Sequence, residues 1–413
     1  MLLAIHKLFV HQAVFAEQTA LAEGCLQICA EDLRNELTKH DQRIRRLDVE
    51  VANPGDCARI VCVKDVLEPR LRVSGEQPGE GSVRALTGAA VVTCGPIVGY
   101  QEGIIDLSGP GAEYSPFSKN HLVILKVDVA DGITKHEHEE TVRLAGLRAA
   151  EYLAHATRDT QPDETEAVTW NESPVDESLP RIAYVYMVLS QGLLHDTYLL
   201  GRNAKQGLPL IVDPRIGMAS GIVSGNCVSA CDKNTTYFHQ NNPVIAQLLR
   251  GHGTKWNFVG VVITNEPTRL GNKQQSAQAA IDLVEQLMAN GAIITKEGFG
   301  NPDADQIMII RGLEQAGIRT TTITDEFAGS DGGSQSLADT TPEADAVVSV
   351  GNANQRVILP AMNRVIGDLP NVSRLAGGYP YSLREDGSME IELQAIIGAT
   401  NQLGYGCLSC REI

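Results

Sequence analysis

The chain has 413 residues, 43% of them hydrophobic and 21% charged, with a formal net charge of −17 and a pI near 5.0. That length can bury a large core and suggests two domains. The negative charge argues against nucleic acid or an anionic membrane as the main partner, and no apolar run reaches the ~20 residues of a membrane-spanning helix. The first ten residues are apolar but broken by Lys7, without the basic start and small-residue end of a secretory signal. Nine cysteines, an odd number scattered along the chain, do not resemble a disulfide framework. Reduced thiols and a cytoplasmic location are expected.

Residues 2–29 alternate apolar and polar stretches around Gly24 and read as short strands in hairpin-like pairs. Leu33 and Leu37 mark a helix over 30–40. Strands follow over 43–52 and 58–67, then a Gly- and Pro-containing loop over 74–82. Small-residue strands run over 86–94 and from Gly103, and another covers 121–129. The pattern predicts a helix over 136–155, acidic at its start, with Val142, Leu144, Ala145, Leu147, Ala149 and Leu153 on its apolar face. Residues 1–156 are thus expected to form an N-terminal mixed α+β domain. Acidic residues and three prolines crowd 157–180, which reads as an exposed linker.

Beyond it the pattern becomes α/β. Apolar strands read at 182–189, 208–212, 221–224, 257–264, 291–295, 318–324 and 345–350. Helices read at 193–204, 243–251, 272–290 and 303–316. Apolar strands separated by helices imply a mainly parallel, doubly wound sheet over 181–370. A C-terminal strand near Met389 and a Gly-rich tail complete the chain over 371–413.

Open α/β sheets bind ligands at the carboxyl ends of their strands. The loops expected there carry Glu266, Glu297, Asp325 and Asp331, and the pair His195-Asp196 follows another strand end. These are candidate substrate-binding residues. Capping roles for Asp325 and Asp331, and an interior role for His195, are the plainer readings. Gly332-Gly333-Ser334 lacks the full dinucleotide-binding spacing. His136 and His138 lie two apart on one helix and diverge, so they make a poor metal pair.

Asn226-Cys227, in the stretch Ser224-Gly225-Asn226-Cys227-Val228-Ser229-Ala230-Cys231-Asp232-Lys233-Asn234, is a candidate reactive bond. A cysteine thiol can attack the carbonyl before it, and elimination and hydrolysis then leave a pyruvoyl group, an electron sink. A buried structural cysteine is the plainer reading. Cys227, Cys231, Cys407 and Cys410 could instead ligate zinc.

The stretch Gly225–Asn234 resembles the processing site of the proprotein subunit of glycine/sarcosine/betaine reductase component B. The likeness extends through Val98–Gly111, Gln191–Tyr198, Glu297–Asp303, Gly333–Asp339 and Leu383–Ser388, and covers essentially the whole chain. The resemblance implies self-cleavage between Asn226 and Cys227, with Cys227 becoming the pyruvoyl cofactor. It implies a Schiff base with the substrate amine. A selenol of a partner subunit then takes the carboxymethyl group, on the way to acetyl phosphate. The implied partners are a selenocysteine-containing component B subunit, selenoprotein A of the complex and a small amino acid, in an oligomeric assembly. The sequence leaves open glycine, sarcosine or betaine as substrate, and a scaffold without self-processing or a zinc-stabilised thiol protein as other readings. The tail cysteines Cys407 and Cys410 are not associated with the family's usual ending.

Overall fold

The computed structural model describes residues 2–77, 79–96, 103–171, 175–190, 197–225, 232–334 and 337–405. It is a mixed α/β protein. Two sheets dominate the N-terminal half. In the first, Leu2–Phe9 lies parallel to Gly81–Thr87 and antiparallel to Glu164–Thr169, and Arg70–Ser74 closes the other edge. Leu2–Phe9 therefore pairs with distant strands, not with a hairpin neighbour. A true hairpin follows, Ala20–Ala22 against Cys25–Ile28, turning at Glu23 and Gly24 with φ of 50° and 76°.

The second sheet runs Gly103–Asp106, Ala58–Leu67, Ala89–Cys94, His121–Val129, Ile44–Ala52. Every residue of Ala58–Leu67 is buried, including Lys64 and Asp65. Helix α1 (Ala30–His40) seats Leu33 and Leu37 in the core, as their spacing requires. The short α2 (Gly109–Tyr114) follows Gly103–Asp106. Helix α3 (Lys135–His155) opens on a capping box between Thr134 and Glu137 and lies against this sheet through Val142, Ala145, Ala149 and Leu153.

Residues 157–180 differ from the exposed linker expected. Glu164–Thr169 is a sheet strand, and Lys7 pairs with Glu164 at 3.0 Å and Glu166 at 2.8 Å. Trp170 is buried, donating to Phe258 O at 2.9 Å. Glu164 and Glu166 are exposed on this edge strand, where they look like linker composition.

The C-terminal half holds a six-stranded sheet in the order Leu210–Val212, Asn257–Asn265, Arg181–Val188, Gly291–Thr295, Arg319–Glu326, Val347–Asn352. The last five are mutually parallel, and Leu210–Val212 is an antiparallel edge. Before Asn257–Asn265 come α4 (Thr236–Gln240) and α5 (Pro243–Gly251). Helices α6 (Leu270–Gln286) and α7 (Asn301–Gln315) pack together on the face carrying Ala183, Val185 and Met187. On the other face, Tyr184, Tyr186, Val261 and Ile263 share a core with α5 and with Val92 and Ile124 of the N-terminal half.

Two expectations are corrected here. The described part of the helix expected over 193–204 is strand, Thr197–Leu199 and Arg202–Asn203, turning at Leu200 and Gly201 with φ of 49° and 76°. That positive-φ turn breaks a helix, and Thr197 and Tyr198 favour extended backbone. Ile222–Ser224 joins these strands in a separate antiparallel sheet, not the parallel one. Arg364–Ile366 returns to pair in parallel with Ala58–Leu67.

Candidate functional site

Where the two halves meet, the core turns polar. Asp65, Glu139, Lys233, His239, Glu266, Lys296, Glu297 and Asp325 are all at most 3% exposed. Buried charges persist only where partners hold them.

Glu297 follows the Gly291–Thr295 strand and ties three segments together. Its Oε2 accepts from Leu189 N at 2.6 Å and Thr197 Oγ1 at 3.2 Å, and its Oε1 accepts from Asn234 N at 3.0 Å. Its own backbone N–H donates to Glu266 Oε1 at 3.3 Å, and Glu266 N donates to Ser190 Oγ at 2.8 Å. After it the chain turns at Gly298, with φ of 78°. The Gly298 carbonyl accepts from Lys296 Nζ at 2.7 Å and Gln402 Nε2 at 3.2 Å.

Burial works against the charge on Lys296, but the Asp303, Asp325 and Asp232 carboxylates outweigh it and hold its pKa above the ordinary lysine value. Its Nζ lies 3.1 Å from Asp303 Oδ1. Asp325 is pushed the other way for a carboxyl, well above the usual range, by burial and by the adjoining Asp232. Gln402 donates to its Oδ1 at 2.7 Å.

Helix α4 is aimed by its surroundings. Phe238 stacks between Phe117 and Tyr405, with centroids 5.0 and 4.4 Å away. Its burial contributes about 2–3 kcal/mol to holding the helix. At the helix start, Asp65 accepts from Thr236 N at 2.9 Å and Thr236 Oγ1 at 2.6 Å, and Thr236 Oγ1 accepts from Ser224 N at 3.0 Å. His239 follows one turn later. Its Nδ1 lies 2.7 Å from Tyr186 OH, and its Nε2 lies 3.9 Å from Glu297 Oε1. On the flank, Glu139 of α3 accepts from Arg143 Nε at 2.9 Å and Tyr198 OH at 3.2 Å.

Burial, with Lys233 nearby, drives the His239 pKa down to about 3 from 6.5. The folded ring stays neutral where the unfolded chain would take up a proton, so between about pH 6.5 and about pH 3 the unfolded state binds more protons. The contribution to stability is fully present above pH 6.5 and is lost as pH falls toward 3. Buried carboxyls such as Asp325 act with the opposite sign, so the readout is a difference. His239→Gln should lose less melting temperature than the parent chain as pH falls through this window, and parallel curves would refute the assignment.

Of the residues singled out from sequence, Glu266 and Glu297 come together in this cluster, and Asp325 joins it beside Lys296. Asp331 does not: it is exposed and accepts from Gly333 N at 3.0 Å within its own turn. Asn226, Cys227, His195 and Asp196 lie outside the described residues, as do Cys231, Cys407 and Cys410. Glu297 nonetheless binds Leu189 and Thr197 on either side of 191–196, and Asn234 just beyond 226–231. Sequence reading missed Asp65, Glu139, Lys233, His239 and Lys296. Lys64-Asp65 inside an apolar strand, and Lys296-Glu297 at the end of another, are visible charge anomalies. Glu139 and His239 leave no such mark. Among the described residues no group of His, Cys, Asp and Glu is arranged to hold a metal, and no helix is long and apolar enough to cross a membrane.

The family profile described as "Glycine/sarcosine/betaine reductase component B subunits" matches residues 1–411. A chain of Acetoanaerobium sticklandii named "Glycine reductase complex component B subunits alpha and beta" is 44% identical over 431 residues, covering all of both chains. In Peptoclostridium acidaminophilum, "Sarcosine reductase complex component B subunit alpha" is 44% identical and "Betaine reductase complex component B subunit alpha" 32% identical, again over all of both chains. No solved structure matches.

Proposed function

The chain belongs to the glycine/sarcosine/betaine reductase component B family, and from that membership we propose that it is the substrate-binding, pyruvoyl-forming subunit of such a reductase. Cleavage falls between Asn226 and Cys227. The Cys227 thiol adds to the Asn226 carbonyl carbon, and the C–N bond gives way to a thioester. Loss of the Cys227 α-proton expels the sulfur as a thiocarboxylate on Asn226 and leaves dehydroalanine. Its imine tautomer takes up water and releases ammonia, leaving the pyruvoyl group. Hydrolysis of the thiocarboxylate releases hydrosulfide. No external oxidant or reductant is needed.

The observation that carries this reading is the anchoring on both sides of the 226–231 segment. Ser224 is tied through Thr236 to buried Asp65, and Asn234 to buried Glu297. Such anchoring suits a bond that must be held in one geometry to react. The name of the Acetoanaerobium sticklandii relative, two subunits in one chain, is consistent with a cut precursor.

A pyruvoyl carbonyl supplies an electron sink for the nitrogen of a primary or secondary amine. Glycine and sarcosine fit that requirement, and a quaternary ammonium does not. The surrounding protein would orient the substrate and limit water. The carboxymethyl group passes to a selenol on a separate subunit, the C–N bond breaking as the C–Se bond forms. No selenocysteine is present in this chain. Purified with its native partners, the protein should give two masses meeting at 226/227, the second blocked at its N-terminus and reactive with a hydrazine. A single intact mass would overturn the proposal.

A further inference from the structure

His239 is the one member of the polar cluster whose hydrogen position the surrounding network determines. Leu403 N–H donates to Asn401 Oδ1 at 3.0 Å, so Asn401 presents its NH2 on the other side. That NH2 meets Asn234 Oδ1 at 2.9 Å, which orients the Asn234 amide in turn. The Asn234 NH2 therefore donates to Tyr186 OH at 3.2 Å. Asn242 is fixed in the same way. Its Oδ1 accepts from Val244 N at 2.9 Å and Ile245 N at 3.1 Å, and its NH2 faces the stacked Tyr184 and Tyr186. With amide donors on the Tyr186 oxygen, its own hydrogen goes to His239 Nδ1, 2.7 Å away.

The remaining ring nitrogen, Nε2, then carries the hydrogen. It is fully buried, and it has no hydrogen-bond partner among the described residues. A buried donor left unpaired costs about 1–3 kcal/mol, and a ligand that accepts from it recovers that cost on binding. The Glu297 carboxylate lies 3.9 Å from Nε2, and the Lys233 ammonium is close enough to act on the ring. An N–H donor beside a carboxylate offers opposite polarities over a few ångströms. A zwitterion whose carboxylate and amine are one carbon apart has the complementary pattern.

We propose that His239 is a substrate-binding residue: its imidazole, locked with the hydrogen on Nε2, donates to the carboxylate of the small amino-acid substrate, whose amine end lies toward Glu297. This rests on the pyruvoyl-subunit reading for the identity of the substrate, but the tautomer does not. The depressed pKa of the ring agrees with a neutral donor. His239 is thus assigned binding and orientation, not proton abstraction.

The test has two arms. Histidine-selective 15N spectra of the native complex, assigned by difference from His239→Gln, should show His239 with a protonated Nε2 and a bare Nδ1 from about pH 5 to about pH 9. The opposite tautomer, or a titration in that range, would overturn the proposal. In the second arm, glycine and sarcosine are titrated into complexes carrying His239→Gln or His239→Asn. Glutamine can present an amide N–H near the Nε2 position, and asparagine cannot reach it. His239→Asn should raise KM about 10- to 100-fold, with His239→Gln recovering most of the loss, while both remain cut and hydrazine-reactive. Equal KM values for both variants and the parent would overturn the proposal. So would variants that stay uncut while the parent is cut, because His239 would then act in processing. An uncut parent would instead refute the pyruvoyl reading and leave the tautomer result standing.

Discussion

Cys227→Ala should give one uncut chain of 413 residues with no hydrazine-reactive carbonyl. Reductase activity in the reconstituted complex should fall by at least about three orders of magnitude, since the group that engages the substrate amine is never made. Only the thiol has to be removed for this outcome. Alanine has no nucleophile to attack the Asn226 carbonyl and no β-leaving group, so neither the acyl shift nor the elimination can begin. The substitution removes one sulfur atom, and its cost in stability should be small beside its effect on chemistry. Mass spectrometry, hydrazine labelling and a coupled assay on the same preparation check the three parts together. A cut Cys227→Ala chain would point to an external protease. An uncut chain with full activity would mean that the subunit works as a scaffold.

Glu297→Gln should be the most damaging conservative change in the polar cluster. The carboxylate accepts from two backbone N–H groups and one hydroxyl, all in the interior. An amide of the same shape keeps one accepting oxygen, turns its NH2 toward the donors on the other, and loses the charge that strengthened the bonds. Hydrogen bonds to charged groups are worth about 1.5–3 kcal/mol each. Removing a buried carboxylate also relieves its desolvation, so the net loss should be about 2–5 kcal/mol. Denaturant unfolding in the uncut Cys227→Ala background measures it on a single chain. In the otherwise native chain, the cut fraction should fall with it, because Asn234 loses its anchor. A change under about 0.5 kcal/mol with normal cutting would show that the three segments are held by other contacts.

The parts of this fold legible from sequence are those where period and burial agree. Leu33 and Leu37 marked α1 at the same bounds, Ala30–His40, that the structure gives. The apolar runs behind Asn257–Asn265 and Gly291–Thr295 were equally plain, because strands buried on both faces are apolar throughout. Failures came where short segments depend on tertiary partners. Thr197–Leu199 is too short to show a period, and its strand character comes from pairing with Ile222–Ser224. Glu164–Thr169 is an edge strand exposed at every position but Val168, with Glu164 and Glu166 paired to Lys7. For the site, Glu266 and Glu297 were visible as polar residues ending apolar strands. His239 was not, because its importance comes from residues far away in sequence, Tyr186, Glu297 and Asn401, that meet only in three dimensions.

The strand order has a further consequence if the chain is cut where we propose. Arg181–Val188 precedes the cut, yet it lies between Asn257–Asn265 and Gly291–Thr295, which follow it. Arg364–Ile366, from the far end, completes a sheet of the opening half. Cutting the 226–227 bond therefore leaves the architecture intact while changing the molecularity of folding. The precursor folds by a first-order process, because the tether keeps the two halves at high effective concentration. The mature pair can refold only by a second-order encounter, and its melting temperature will depend on protein concentration. Folding must come before cutting, and the working protein would then depend on never having to fold again.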